Sequence, residues 1–306
     1  MPTPPVAPYP LAPSDAPRVD NLRGIVLMLL GFFLFAACDI QAKVLTETLN
    51  PFQVVWLRNI GLCLGVLVML ALRGTHLLRT TNPVLQVMRG LVAAVSAACF
   101  IFALRYVPLA DAVAVSFVAP FMVTVLGALL LREPVGPRRW GAVAVGFLGM
   151  LIVIRPGYGV FHPAILLVVL AAMAFSARQI LSRWLSGGDG VATTVAYTSL
   201  TATAAASLVQ PFVWTTPTDP GVWALIVGLA VTAGLGEVFV IRALDVAQAV
   251  VLAPLQYTMI LWGTFYGYMV YSDLPDAWTL GGCAVIVASG LYTLHRERQV
   301  ARRAAG

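Results

Sequence analysis

The residues that could do chemistry in this chain are few, and they stand inside long apolar runs. Asp39 and Lys43 lie four residues apart, Arg58 follows beside Trp56, Arg178 precedes Gln179, and Glu237 stands among Gly228, Gly234 and Gly236. A charged side chain at the centre of a bilayer costs about 2.5–3.5 kcal/mol on insertion scales, so each needs a partner or a task. Asp39 and Lys43 are one helical turn apart and can neutralise each other. They form either a structural ion pair near the outer interface, or an outer gate and charge partner for a zwitterionic substrate. Arg58 either snorkels to that interface or joins the same gate, and Arg89 is expected to snorkel to the cytoplasmic side. Glu237 either pairs with Arg178 or Arg242 or, left unpaired and desolvated, carries a proton.

Aromatic and broken-backbone positions supply a second set. The segment LAPLQYTMILWGTFYGYMVY holds Pro254, Gln256, Tyr257 and Trp262. Proline removes a backbone donor and leaves a carbonyl free, while ring faces take apolar or cationic bodies and polar tips fix orientation. Ser116, Phe117 and Pro120 repeat this pattern earlier, with Phe100 on the segment before, so these residues are candidates for a substrate cavity; helix packing and an interfacial belt are the competing reading. His76, His162 and His295 never cluster, and Cys38, Cys63, Cys99 and Cys283 lack metal-ligand spacing. No HExxH, CxxC, GxSxG or phosphate-loop motif occurs. Hence no metal site, no covalent nucleophile, no cofactor and no ATP-driven pump is expected, and any transport must draw on a solute or ion gradient.

These residues must be positioned by membrane helices. Of 306 residues, 60% are apolar and 10% charged, against about 25% charged in soluble domains, and mean hydropathy is +0.89. Ten spans are predicted, over 23–45, 52–72, 84–105, 108–131, 138–154, 163–185, 191–213, 221–243, 247–271 and 278–294. Only helices satisfy a lipid-facing backbone here, since no strand-like alternation occurs. The net charge of +6 could suggest nucleic acid, but the basic residues sit in short loops and at the end of the chain. Arg18, Arg23, Arg73, Arg79, Arg132, Arg138, Arg139, Arg183, Arg242 and Arg296, Arg298, Arg302 and Arg303 fall on one side, against Arg105 and Arg155 on the other. Both termini are therefore expected to be cytoplasmic. Residues 1–20 are Pro-rich and read as a disordered tail.

The chain also repeats itself. Glu133 and Gly141 align with Asp273 and Gly281, and at the same offset Phe35, Lys43 and Leu45 align with Phe175, Arg183 and Leu185. Five spans per copy is an odd number, so the second copy enters from the opposite side, as inverted repeats of secondary transporters do. The expected units are a tail of 1–20, a first repeat of 21–157, a second of 158–294 and a basic tail of 295–306.

ALRYVPLADAVAVSFVAPFMVTVLGALLLREPVGPRRWGAVAVGFLGMLIVI, residues 103–154, resembles the EamA-type domain of the drug/metabolite transporter superfamily. The resemblance rests on the Ala-Leu-x-Tyr-x-Pro entry, the mid-span Pro120, the closing Glu133 and the glycine-rich last helix. Residues 239–290 look like a degenerate second copy, with Asp273 where the family has Glu. The resemblance implies an all-α integral membrane fold of ten transmembrane helices in two inverted five-helix repeats, with a central cavity, in a bacterial-type inner membrane. It further implies a secondary transporter of small organic metabolites rather than an enzyme. The expected substrate is an amino acid, aromatic and apolar ones included, or a related compound, moved outward by a monomer in contact with membrane lipid and with no nucleic acid partner. Uptake of a cofactor such as riboflavin or S-adenosylmethionine is the alternative, and an enzyme acting on lipid or a channel the rival from another class.

Overall fold

A computed structural model describes residues 20–132, 135–155, 162–185 and 189–305. The expected 1–20 tail, apart from Asp20, and Glu133 of the closing motif lie outside the described residues. All regular structure among the described residues is helical.

Polar-proline pairs set the helix starts. Asp20 caps α1 (Asn21–Thr48) by accepting from the Arg23 amide at 3.0 Å. Asn50 caps α2 (Pro51–Arg73), and Asp219 caps α9 (Pro220–Val246). Proline also opens α3 (Pro83–Leu104) and α6 (Pro137–Ile154), where its missing N–H is lost at no cost. The helices α7 (Ile165–Leu185), α8 (Val191–Val213) and α12 (Ala277–Ala305) complete the unbroken set. Among the described residues, eight helical spans are long and apolar enough to cross a membrane. The α8 helix is richer in Ser and Thr, and some of its hydroxyls turn back onto the preceding turn, as Thr198 does to Thr194 (2.7 Å) and Ser207 to Thr203 (2.8 Å), which satisfies them within the helix; the Ser199 and Thr203 hydroxyls are buried without a partner.

Two spans are broken. The fourth divides into α4 (Leu109–Ser116) and α5 (Ala119–Leu130), with Pro120 at the start of the second piece. The ninth consists of a short α10 (Ala249–Leu252), a 3₁₀ turn Ala253–Tyr257 and α11 (Thr258–Tyr271). Pro120 lies near the middle of its span, as expected, whereas Pro254 lies close to the beginning of its own and is not a mid-span proline. The final helix continues through the basic segment to Ala305.

Inverted repetition is visible in which helices touch. α1 packs on α9 and α3 packs on α7; α6 packs on α12, α2 on α8, and α4 on α11. Exchanging each helix with its counterpart in the other half returns the same set of contacts, so the fold is ten spans in two inverted five-helix repeats. Glycines permit the closest approaches. Gly24 and Gly31 of α1 face Ala247 and Val240, while Gly149 and Gly282 bring α6 and α12 together, where an added Cβ would meet carbonyl oxygen at 3.1 and 2.7 Å. Of the GxxxG pair Gly61–Gly65, only Gly61 touches another helix, at Ala230.

Two ties join the halves at opposite ends of the bundle. At the end holding the first residue of α1, Asp189 accepts from the Thr80 hydroxyl, the Thr81 amide (3.0 Å) and the Gln86 amide (2.7 Å). These bonds hold its carboxyl below the usual carboxylate range, the Thr80 and Gln86 contacts contributing most. At the other end, Gln53 of α2 bonds both ways with the Thr215 backbone, at 2.8 and 3.0 Å.

Candidate substrate chamber

Five ionisable side chains from five helices share one region. Arg58 of α2 meets Asp39 of α1 at 3.5 Å, with Asp39 only 5% exposed. Glu237 of α9 lies in the electrostatic field of Arg58, Arg89 and Arg178. No hydrogen bond or ion pair to Glu237 occurs among the described residues. Arg89 of α3 also feels Arg178, and donates through Nε to the Ser182 hydroxyl (2.7 Å) and through Nη1 to the Thr198 hydroxyl. Arg178 of α7 lies 4.7 Å from the Phe175 ring, and its buried Nε has no acceptor.

This arrangement corrects one expectation. Asp39 pairs with Arg58 and not with Lys43, because the guanidinium on the neighbouring helix reaches the carboxylate inside the bundle. Lys43 instead donates to the Val107 carbonyl (2.6 Å) and stands 5.1 Å from the Tyr271 ring centroid. Arg58 meets the buried Asp39, and Arg89 meets the half-buried hydroxyls of Ser182 and Thr198. Glu237 has neither Arg178 nor Arg242 within ion-pair distance, although Arg178 is near enough to act on it.

The aromatic candidates separate into two groups. Trp262 packs edge-on against Phe33 at 5.1 Å, Tyr266 lies 5.4 Å from the same ring, and the buried indole N–H of Trp262 has no acceptor. Tyr257 instead tilts against Phe117 at 5.2 Å. Its hydroxyl lies on the backbone of α12, where a Cβ on Gly290 would overlap it. Gln256 precedes Tyr257 in the same 3₁₀ turn, and Phe100 packs on the same apolar cluster as Phe117. Tyr257 and Phe117 thus pack on each other, and Trp262 keeps a donor without an acceptor. Ser116 is also occupied locally, donating to the Val113 carbonyl at 2.7 Å. Pro120 withholds the amide that the Ser116 carbonyl would receive in an unbroken helix, and Pro254 acts likewise within its 3₁₀ turn. Gln179 is half-buried beside Arg178.

A polar network closes the end of the bundle where α1 finishes. Tyr271 donates to Glu47 at 2.5 Å, Thr279 donates to Asp111 at 3.0 Å, and Arg155 pairs with Asp276 at 2.5 Å. The Thr279 amide and then the Arg155 guanidinium hold the Asp276 carboxyl below its ordinary range. Sequence reasoning passed over Phe33, Glu47 and Asp111, and assigned Tyr271 to an interfacial aromatic belt. Of these, Asp111 carried a readable signal as an acid within an apolar run. Among the described residues no group of His, Cys, Asp and Glu has the arrangement of a metal site.

Known proteins share this build over nearly the whole chain. A riboflavin transporter of Brucella anthropi is 30% identical over 285 residues, covering 89% of this chain and 100% of that protein. The chain belongs to the EamA-like transporter family. The family's model matches residues 22–155, the stretch that contains the first five spans. An S-adenosylmethionine uptake transporter of Rickettsia felis is 26% identical over 92% of this chain and 96% of its own length. A pseudopaline exporter of Pseudomonas aeruginosa is 28% identical over 89% and 96%. One solved crystal structure superposes with a TM-score of 0.62 at 18% identity, covering 92% of this chain and 99% of the other, which shows a common fold. As a member of this family the chain is a multi-pass membrane transporter of the drug/metabolite type.

Proposed function

We propose that this transporter is a secondary carrier, not an enzyme, that moves an amino-acid-like metabolite by alternating access. One observation carries the reading. Asp39 pairs with Arg58 inside the bundle at 3.5 Å, Arg89 crosses to the Ser182 and Thr198 hydroxyls of the other half, Arg178 lies in the field of Glu237, and the Trp262 indole N–H stands unpartnered beside the Phe33 ring. Such a site suits a small solute with a charged head and an apolar body. The two halves, residues 21–157 and 158–294, would rock about this chamber and expose it to each side in turn. The network of Lys43, Glu47, Tyr271, Asp111 and Asp276 is the contact that must open on one side. The chain works as a monomer in an inner membrane, with both termini cytoplasmic as the distribution of arginines requires. Synthesis inside the cell sets an outward gradient of amino acids, and a passive carrier then runs as an exporter.

Cofactor uptake is the second reading, favoured by the relatives that carry S-adenosylmethionine and riboflavin. Counterflow in proteoliposomes separates the two. Vesicles are preloaded with single amino acids, S-adenosylmethionine or riboflavin, and entry of the labelled solute is followed. Amino acid exchange that drops in Trp262→Ala supports the first reading. Exchange of a cofactor alone replaces it with the second, and exchange of none of these solutes refutes both.

A further inference from the structure

The charges of the chamber do not balance. Three guanidiniums, from Arg58, Arg89 and Arg178, face two carboxylates, Asp39 and Glu237. Asp39 is committed to Arg58 at 3.5 Å. Arg89 has only neutral acceptors in contact, the Ser182 and Thr198 hydroxyls. Arg178 rests on a ring face with a buried Nε–H unused, and Glu237 alone must serve Arg89, Arg178 and part of Arg58. Among the described residues, Asp39 and Glu237 are the acids whose fields reach these three guanidiniums; Asp111, Glu47 and Asp273 act on Lys43 at the closed end of the bundle, and Asp189 is taken up by Thr80, Thr81 and Gln86. Arg242, on the same helix as Glu237, is exposed. An excess cation inside a bilayer protein is expensive unless something neutralises it. In a carrier that something can be the cargo.

We infer that the transported molecule bears a net negative charge and that Arg178 takes its carboxylate, with Arg89 alongside. This deepens the carrier reading and rests on it, since it assigns a substrate class to the same chamber. A guanidinium offers two parallel donors to a carboxylate, and the ring of Phe175 beneath it limits how the head of Arg178 can turn. A simple zwitterion would place its ammonium on Glu237 and its carboxylate on Arg178 and leave the excess standing. An N-acylated amino acid, or an amino acid derivative with one further carboxylate, would remove it. A net cation such as S-adenosylmethionine would add to it.

Two measurements on the purified full-length protein test this. The first needs no ligand. Thermal unfolding in detergent micelles should show Arg178→Gln melting higher than wild type, by about 2 °C or more, and Glu237→Gln melting lower. An Arg178→Gln protein that melts lower instead would mean that the charge is matched within the fold, and would overturn the inference. The second uses three probes with one side chain and different charge: N-acetylphenylalanine, phenylalanine and phenylalanine amide. The anion should stabilise wild type at about tenfold lower concentration than the zwitterion, and the amide least of all. Arg178→Gln should erase that order and Arg178→Lys keep most of it. An amide that stabilises as well as the anion would overturn the assignment. Loss of all counterflow would defeat the carrier reading, while the ligand-free melting order would still decide the charge imbalance.

Discussion

Replacing Asp39 by Asn leaves the Arg58 guanidinium inside the helix bundle with no carboxylate beside it. The pair is close, at 3.5 Å, and poorly exposed, with 7% of the Asp39 side chain and 22% of the Arg58 side chain accessible. At that separation and an effective dielectric constant near 20, the attraction is about 5 kcal/mol. Desolvation offsets much of it in the intact pair, but breaking a buried pair from one side still costs about 3–5 kcal/mol. Asp39→Asn and Arg58→Met should therefore each lower the melting temperature in micelles on the order of 10 °C. The double variant should recover most of the loss, because no unpaired charge remains. The cycle should return a coupling of about 2 kcal/mol or more, whereas Asp39→Asn combined with Lys43→Met should be additive. Additive losses for Asp39 and Arg58, or strong coupling to Lys43, would refute the pairing and restore the one-turn pair on α1.

Four further outcomes follow from described contacts. Trp262→Phe keeps the ring against Phe33 but removes the unpartnered N–H, so substrate affinity in counterflow should weaken about tenfold with unfolding unchanged. Tyr271→Phe removes one hydrogen bond to Glu47, worth about 1–2 kcal/mol, and should make a cysteine placed at Val107 react faster with a membrane-impermeant thiol reagent. Gly282→Val drives a side chain into the Gly149 carbonyl and Val153, and overpacking of about 1–3 kcal/mol should show as a lower melting temperature. Asp189 has a carboxyl pKa below that of the unfolded chain, so its tie to Thr80, Thr81 and Gln86 is fully present above the unfolded value. It weakens only as pH falls through the lowered folded value. Amide exchange over residues 75–86 should accordingly be unaltered by that tie between pH 7 and 5, and should rise at pH 7 in Asp189→Ala.

Span positions were legible because lipid imposes a length and a composition on every crossing, and polar-proline pairs such as Asn50–Pro51 and Asp219–Pro220 mark the turns. The duplication was legible from charged and glycine positions. Partner choice was not. Asp39 and Lys43 are neighbours along one helix, and spacing alone favours them, but Arg58 reaches Asp39 from another helix through tertiary packing that no spacing reveals. The same limit applies to Arg89, whose hydroxyl acceptors come from α7 and α8. Tyr257 and Trp262 have similar sequence surroundings, and only the positions of Gly290 and Phe33 tell the packing ring from the one with a free donor. Pro254 kept the composition of the mid-span motif without its depth, because its helix begins later than that of Pro120.

The pairing of α1 with α9 has a consequence for how this protein is made. The surface that α1 buries in the finished fold belongs to a helix that is synthesised only after everything from Thr48 to Pro220. At about 5–20 residues per second that wait is roughly 10 to 30 s. Throughout it, Arg58, carried on the very next helix, is already available to Asp39. A hairpin of α1 and α2 can enter the lipid with the Asp39 and Arg58 charges already cancelled, whereas Lys43 waits for Val107, and Arg89 and Arg178 wait for α9 to bring Glu237. Insertion is then ordered by electrostatics: the Asp39–Arg58 pair is complete within the first hairpin, and the third and sixth spans remain in the keeping of the insertion machinery until the eighth arrives.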